Sequence, residues 1–193
     1  IVKISVRLAL KVVVRKIKIK KSYLLWETGP LLITSNHPNA FLDAVIIGCL
    51  FKEPVHYLTR GDAFNKAWHN TLLRLLNMIP VYRLSEGKEN LSLNEEAFQK
   101  SAKILSGGGI VLIFIEGICQ HTHELQTFKK GAARIAIDSS HIEKFSIMPL
   151  GIAYDSFISD GKKINIHIGE PMPVKKLLPF DDEDKNMRHF NAV

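Results

Sequence analysis

The chain has 193 residues, 46% of them hydrophobic and 23% charged, with 12 glycines, 8 prolines and no short repeat. That is the size and composition of one domain with a full core, and it excludes disorder as the dominant state as well as collagenous, coiled-coil and solenoid architectures. The formal charge of +7 is concentrated at one end: residues 1–21 carry eight of the 26 Lys and Arg and none of the 19 Asp and Glu, so the remaining body is near neutral and no nucleic-acid partner is expected.

Residues 1–24 read as a basic amphipathic arm at a membrane interface. Lys3, Arg7, Lys11 and Arg15 recur every four residues and form one stripe, flanked by Val2, Ile4, Leu8 and Val12. That is the composition of a helix lying on anionic lipid; the alternative is a helix packed on the domain with its charged face in water. The charges interrupt any signal-peptide core, and no stretch reaches the length of a transmembrane span, the longest apolar runs being 44–51 and 110–115. The expected placement is therefore peripheral, on the cytoplasmic side of a membrane. Cys49 and Cys119 have no spaced His or Cys partners, which argues against a disulfide framework or a zinc site and fits a reducing compartment.

Residues 25–193 read as a single domain in which strands and helices alternate. Strands are predicted over 31–35, 55–59, 79–82, 109–115, 146–154 and 164–168, and helices over 40–51, 63–76, 93–105 and 130–139. This alternation predicts an α/β fold with a mixed, largely parallel sheet flanked by helices, with functional residues in loops at strand ends.

Three such loops carry chemistry. In Ser35-Asn36-His37-Pro38-Asn39-Ala40-Phe41-Leu42-Asp43, Pro38 disfavours helical geometry at His37, Asn39 is placed to cap the next helix, and Asp43 falls in its first turn. A carboxylate there can fold back on the imidazole, fix its tautomer and stabilise the imidazolium; the alternative is a His and an Asp that only cap the helix. A second strand runs through Ile79 and ends in Arg83, whose guanidinium suits a phosphate, with a surface salt bridge as the alternative. A third, Leu112 to Ile115, runs into Glu116-Gly117. Glu116 can orient a substrate hydroxyl or Arg83, Gly117 permits close backbone approach, and Lys129-Lys130 open a helix whose free amides favour an anion.

Taken in order, these segments resemble the glycerolipid acyltransferase family. Asn36-His37 through Asp43 is similar to its His and Asp block, Ile79 to Arg83 to its arginine block, Phe114 to Gly117 to its Glu-Gly block and Ile147-Met148-Pro149-Leu150 to its proline-bearing strand, with Gly169-Glu170-Pro171 as weaker support. The resemblance spans 29–154 and departs from the family pattern twice. One more residue than usual separates His37 from Asp43, and Ile118, Cys119 and Gln120 stand where Thr or Ser and then Arg are common.

The resemblance implies the glycerol-phosphate acyltransferase fold and a set of roles. His37 is the general base on a glycerol hydroxyl, which attacks an acyl thioester directly, and Asp43 orients it. Arg83 with Lys129 or Lys130 holds the acceptor phosphate, helped by His121 or His123, while Glu116 and Gly117 position the acceptor. No metal or other cofactor is required, since acyl-coenzyme A or an acyl carrier protein brings the leaving group as co-substrate. The expected acceptor is glycerol 3-phosphate or lysophosphatidic acid; another lyso-lipid, or a non-catalytic lipid-binding module, is the alternative. A membrane bearing anionic lipid gives the basic arm its role.

Other signals are set aside. Gly107-Gly108-Gly109 lacks a following Gly-Lys-Ser/Thr and reads as a helix stop; His121-x-His123-Glu124 lacks a third ligand; Asp181 to Asp184 is a solvated acidic run. Trp26 and Trp68 suit lipid contact or packing equally.

Overall fold

A computed structural model of the chain describes residues 8, 10, 12, 14–64, 67–82, 91–157 and 161–192. The strands are β1 (Val14–Lys20), β2 (Leu31–Ser35), β3 (Val55–Arg60), β4 (Met78–Val81), β5 (Ile110–Phe114), β6 (Ser146–Tyr154), β7 (Lys162–Ile168) and the two-residue β8 (Met172–Pro173). The helices are α1 (Ala40–Leu50), α2 (Ala67–Leu75), α3 (Leu91–Ser106), α4 (Gly131–Asp138), α5 (Val174–Leu177) and α6 (Glu183–Ala192).

All eight strands form one sheet in the order β1-β7-β6-β2-β5-β3-β4, with β8 paired to β6. Five pairings are parallel, and only β6–β7 and β6–β8 are antiparallel, as the alternation of strands and helices requires. Central β2 is buried along its whole length, because both its faces are covered. Leu31 and Ile33 face a core shared with Ile46 and Ile47 of α1, whereas Leu32 faces a second core built from Leu105, Ile135, Ala136 and Leu177 of the helices on the other side.

Pro80 and Pro149 sit within strands without leaving a donor missing. Pro80 lies in the edge strand β4. Pro149 lies in β6, where its carbonyl accepts from the Gly169 N–H at 2.8 Å, between the stretches paired to β8 and to β7. The glycine triplet ends α3 as read: Gly107, Gly108 and Gly109 N–H groups bond back to Lys103, Leu105 and Ile104 carbonyls, with Gly108 at φ +76°.

The arm is where the fold departs from the sequence reading. Helical backbone is found at Leu8, Leu10 and Val12, but from Val14 the chain is a strand, parallel to β7 and fully part of the sheet. Lys16, Lys18 and Lys20 alternate with Ile17 and Ile19, a period of two; the isoleucines turn inward, opposite Ile164 and Ile166, and the lysines turn out. The four-residue spacing of charges is also a multiple of two, so it fitted a helix without requiring one. Leu24, in the short turn after β1, is 2% exposed and packs in the core. The remaining arm residues lie outside the described ones.

Backbone amides of 14–20 that bond β7 are expected to exchange slowly with solvent deuterium, and rapid exchange across the whole segment would return it to a free arm. Ile164, wholly buried where β1 crosses, should cost about 2–5 kcal/mol when cut to alanine, read as a shifted urea midpoint.

Candidate active site

At the carboxyl end of β2 the backbone ladder stops and side chains take over. The Asn36 side-chain amide donates to the Ile152 carbonyl at 2.9 Å and accepts from the Ile152 N–H at 2.8 Å, so it pairs with β6 as a further strand residue would. On the other side the Ile115 N–H donates to the Ser35 carbonyl at 3.0 Å. His37 follows directly, held extended by Pro38. Its ring stacks on Phe114, the last residue of β5, with centroids 3.7 Å apart and planes 16° from parallel.

Asp43, in the first turn of α1, reaches back to this ring. Its carboxylate has no exposed surface and accepts three hydrogen bonds: from His37 Nδ1 at 3.0 Å, from the Asn39 N–H at 2.7 Å and from the Tyr154 hydroxyl at 2.5 Å. An ionised carboxylate can only accept, so Asp43 holds the proton-bearing Nδ1 edge of the ring toward itself and turns the Nε2 edge away from α1. His37 remains 19% exposed, which leaves it open to a substrate. Burial, reinforced by the Asp43 charge and hydrogen bond, raises the Tyr154 pKa far above the ordinary phenol value, so the hydroxyl stays a donor across the physiological range.

Asn39 occupies the position before α1, but its side chain makes no capping bond; Asp43 takes its backbone N–H instead. Ala40 has φ +37°, a conformation costly for a residue with a Cβ, and its N–H donates to the Cys119 sulfur. Burial pushes the Cys119 thiol up, partly offset by that N–H.

Glu116 is 3% exposed, and both its oxygens are occupied by backbone: Oε2 accepts the His37 N–H at 2.9 Å and Oε1 the Gln126 N–H at 3.0 Å. It ties the His37 turn to the loop after β5. Gly117 has φ +64°, a conformation that favours glycine, and a Cβ there would come within 3.0 Å of Lys129 Cγ. The Lys129 N–H donates to the Ile115 carbonyl at 2.7 Å, which draws its stem alongside this turn. Lys130 precedes α4 with an exposed side chain. Arg83 lies outside the described residues.

Thus His37, Asp43, Glu116, Gly117 and Lys129 are brought together. Sequence reasoning missed Tyr154, Phe114 as a stacking platform, and Asn36 as a strand extension. A tyrosine at the inward-facing end of a predicted strand was the available signal for the first. Among the described residues no group of three or more His, Cys, Asp or Glu could hold a metal; His121 and His123 instead flank the Phe157 ring.

Residues 13–153, more than half of the chain, match a family model described as Acyltransferase. Among solved structures, the 1-acyl-sn-glycerophosphate (LPA) acyltransferase PlsC from Thermotoga maritima aligns with a TM-score of 0.69, covering 99% of this chain and 74% of that one at 16% identity. At that identity the likeness establishes the fold: a mixed, mostly parallel sheet with flanking helices. No curated protein sequence matches.

Tyr154→Phe removes one of three donors from a fully buried carboxylate and is expected to destabilise the protein by about 2 kcal/mol in urea titration. Glu116→Gln sets an amide N–H₂ against a backbone donor and should cost about 1–3 kcal/mol. A change under ~0.5 kcal/mol in both would mean that neither side chain holds the turn.

Proposed function

The chain belongs to the acyltransferase family, and on that premise we propose that it moves a fatty acyl chain from a thioester to a hydroxyl of glycerol 3-phosphate or lysophosphatidic acid. The observation that carries this reading is the His37–Asp43–Tyr154 chain, an imidazole whose Nδ1 edge is tied to a buried carboxylate while the ring stays partly exposed.

His37 Nε2 takes the proton of the acceptor hydroxyl as its oxygen attacks the thioester carbonyl. A C–O bond forms, the tetrahedral intermediate collapses, the C–S bond breaks, and the imidazolium returns its proton to the departing sulfur. The buried Asp43 carboxylate stabilises the transient imidazolium and Tyr154 holds that carboxylate in place. Glu116 is a positioning residue, since its oxygens act on backbone rather than on substrate. Lys129, beside Gly117, is suited to the acceptor phosphate, joined on sequence grounds by Arg83 and by Lys130. The three residues after Gly117 offer no cation, which favours a lyso-lipid without that phosphate as the second reading.

A bilayer-resident acceptor and the basic first 21 residues support peripheral association with anionic lipid; among the described residues no helix is long and apolar enough to cross a membrane. The donor is a thioester of coenzyme A or of an acyl carrier protein.

Purified protein given vesicles, palmitoyl donors of both kinds and each acceptor should form the acylated product, detected by mass spectrometry. His37→Ala should lower kcat by roughly 10²–10⁴-fold with the fold intact. Product formed equally well without the imidazole would sink the mechanism, and a folded protein inactive with phosphorylated acceptors but active with another lyso-lipid would establish the second reading.

A further inference from the structure

Two strands of the sheet are finished by an asparagine. Beyond β2 the Asn36 amide pairs with Ile152 in place of backbone, and His37 follows. Beyond β4 the asparagine comes from a helix. Asn94, in the first turn of α3, accepts the Tyr82 N–H on its side-chain oxygen at 2.7 Å and donates from its amide nitrogen to the Tyr82 carbonyl at 2.8 Å. One side chain thus holds both backbone polar groups of the first residue past the strand, as a neighbouring strand would.

Neither burial nor the helix asks for this clamp. Tyr82 and Asn94 are half-buried at the edge of the sheet, where water could serve the same backbone groups. Asparagine is a poor residue inside a helix, and Asn94 stands too far along α3 to cap it. What the clamp supplies is position. Tyr82 is held from its other side as well, because β3 pairs with β4 as far as Arg60–Val81 and then turns through Gly61, against which the Tyr82 ring lies. A Cβ on Gly61 would stand 2.1 Å from Tyr82 Cε1.

The residue after Tyr82 is Arg83. It lies outside the described residues, but the planar peptide group leading into it begins at the Tyr82 carbonyl that Asn94 holds. In the order β2-β5-β3-β4, strands about 4.8 Å apart put β4 ~14 Å from β2. An arginine has to lean across that gap to meet an acceptor beside His37, so the direction in which the chain leaves β4 decides whether it arrives, and a misplacement of ~1 Å in a binding group can cost ~10²-fold. We propose that Asn94 is a positioning residue for acceptor binding, fixing Tyr82 so that the cation at 83 is aimed at the acceptor phosphate. This rests on the phosphorylated-acceptor reading given above.

Transfer from palmitoyl-coenzyme A to glycerol 3-phosphate and to lysophosphatidic acid, each varied, is measured beside calorimetric binding of the same acceptors to the whole protein. Asn94→Ala is expected to raise acceptor KM and Kd about five- to tenfold and to leave donor KM within about twofold. Arg83→Ala should raise the acceptor values about 10- to 100-fold, and adding Asn94→Ala to it should change nothing further, since the clamp acts through that side chain. Asn94→Asp separates aim from helix stability, and serves equally should the alanine variant not fold. A carboxylate suits the first turn of a helix but sets an acceptor against the Tyr82 carbonyl, so the clamp predicts acceptor values as poor as with alanine, whereas a helix role predicts recovery. Asn186→Ala breaks the same pair of bonds at Phe180 and should lower the melting temperature without moving acceptor KM.

Acceptor KM and Kd unmoved in a folded Asn94 variant overturn the proposal. So does a further loss when Asn94→Ala is added to Arg83→Ala, because the clamp would then act on something other than that cation, and so does Arg83→Ala without effect, which leaves no cation to aim. Acceptor binding that depends on both residues without acyl transfer would refute the function proposed above and leave the positioning role standing; transfer with acceptor binding that depends on Arg83 but not on Asn94 would do the reverse.

Discussion

A carboxylate with no exposed surface survives in a protein only if donors surround it, and Asp43 meets that condition with two groups from the loop between β2 and α1 and one from the far end of β6. The Asn39 N–H comes from the turn entering α1, the imidazole N–H from the segment leaving β2, and the hydroxyl from the end of β6. Each must arrive at its distance for the charge to be tolerated. The desolvation cost therefore acts as a constraint on the backbone, fixing helix to sheet at the point where His37 is presented. The same donors that make burial tolerable set the tautomer of the base, so folding stability and chemical competence depend on one network.

Around that network side chains replace the hydrogen bonds of a sheet that has ended. Asn36 pairs with β6 in place of a backbone residue, Glu116 joins two loops by accepting their N–H groups, and the Phe114 ring supports the imidazole plane. A strand continued by backbone would have placed His37 in register with its neighbours and buried it. Ending the ladder and bracing the loop with polar side chains keeps the residue both rigid and reachable, the combination that a preorganised base needs.

Much of this was legible in the sequence, and the misses have physical causes. Strands 31–35 and 146–154 were read at their observed bounds because continuous apolar runs between turn residues admit few alternatives. His37 and Asp43 were legible together because the proline and the helix start between them fix the local path. Tyr154 was not, since its partner lies 111 residues away and a tyrosine at a strand end signals a hydroxyl without saying which atom it reaches. Glu116 was read as facing substrate, yet it faces backbone: an acid at a strand end advertises a charge but not which atoms surround it. β1 was absorbed into a helical arm because the four-residue spacing of Lys3, Arg7, Lys11 and Arg15 leads into it, whereas the Lys16-Ile17-Lys18-Ile19-Lys20 alternation is that of a strand.

That strand changes what residues 14–20 of the basic segment can do. As a helix it would have been a detachable cation, attracted to any anionic surface. As the edge of the sheet it is held by Ile17 and Ile19 against the core, with Lys18 and Lys20 at fixed heights beside His167. Charges on a rigid lattice select among anions by distance, whereas charges on a flexible arm select only by sign. An edge lined with lysine also resists pairing with another chain, so the same residues guard the sheet against edge-to-edge association. Among the described residues neither a helix nor a further strand covers the half-face formed by the second half of β6, β7 and β1, so its outward side chains stand in water at spacings the sheet fixes.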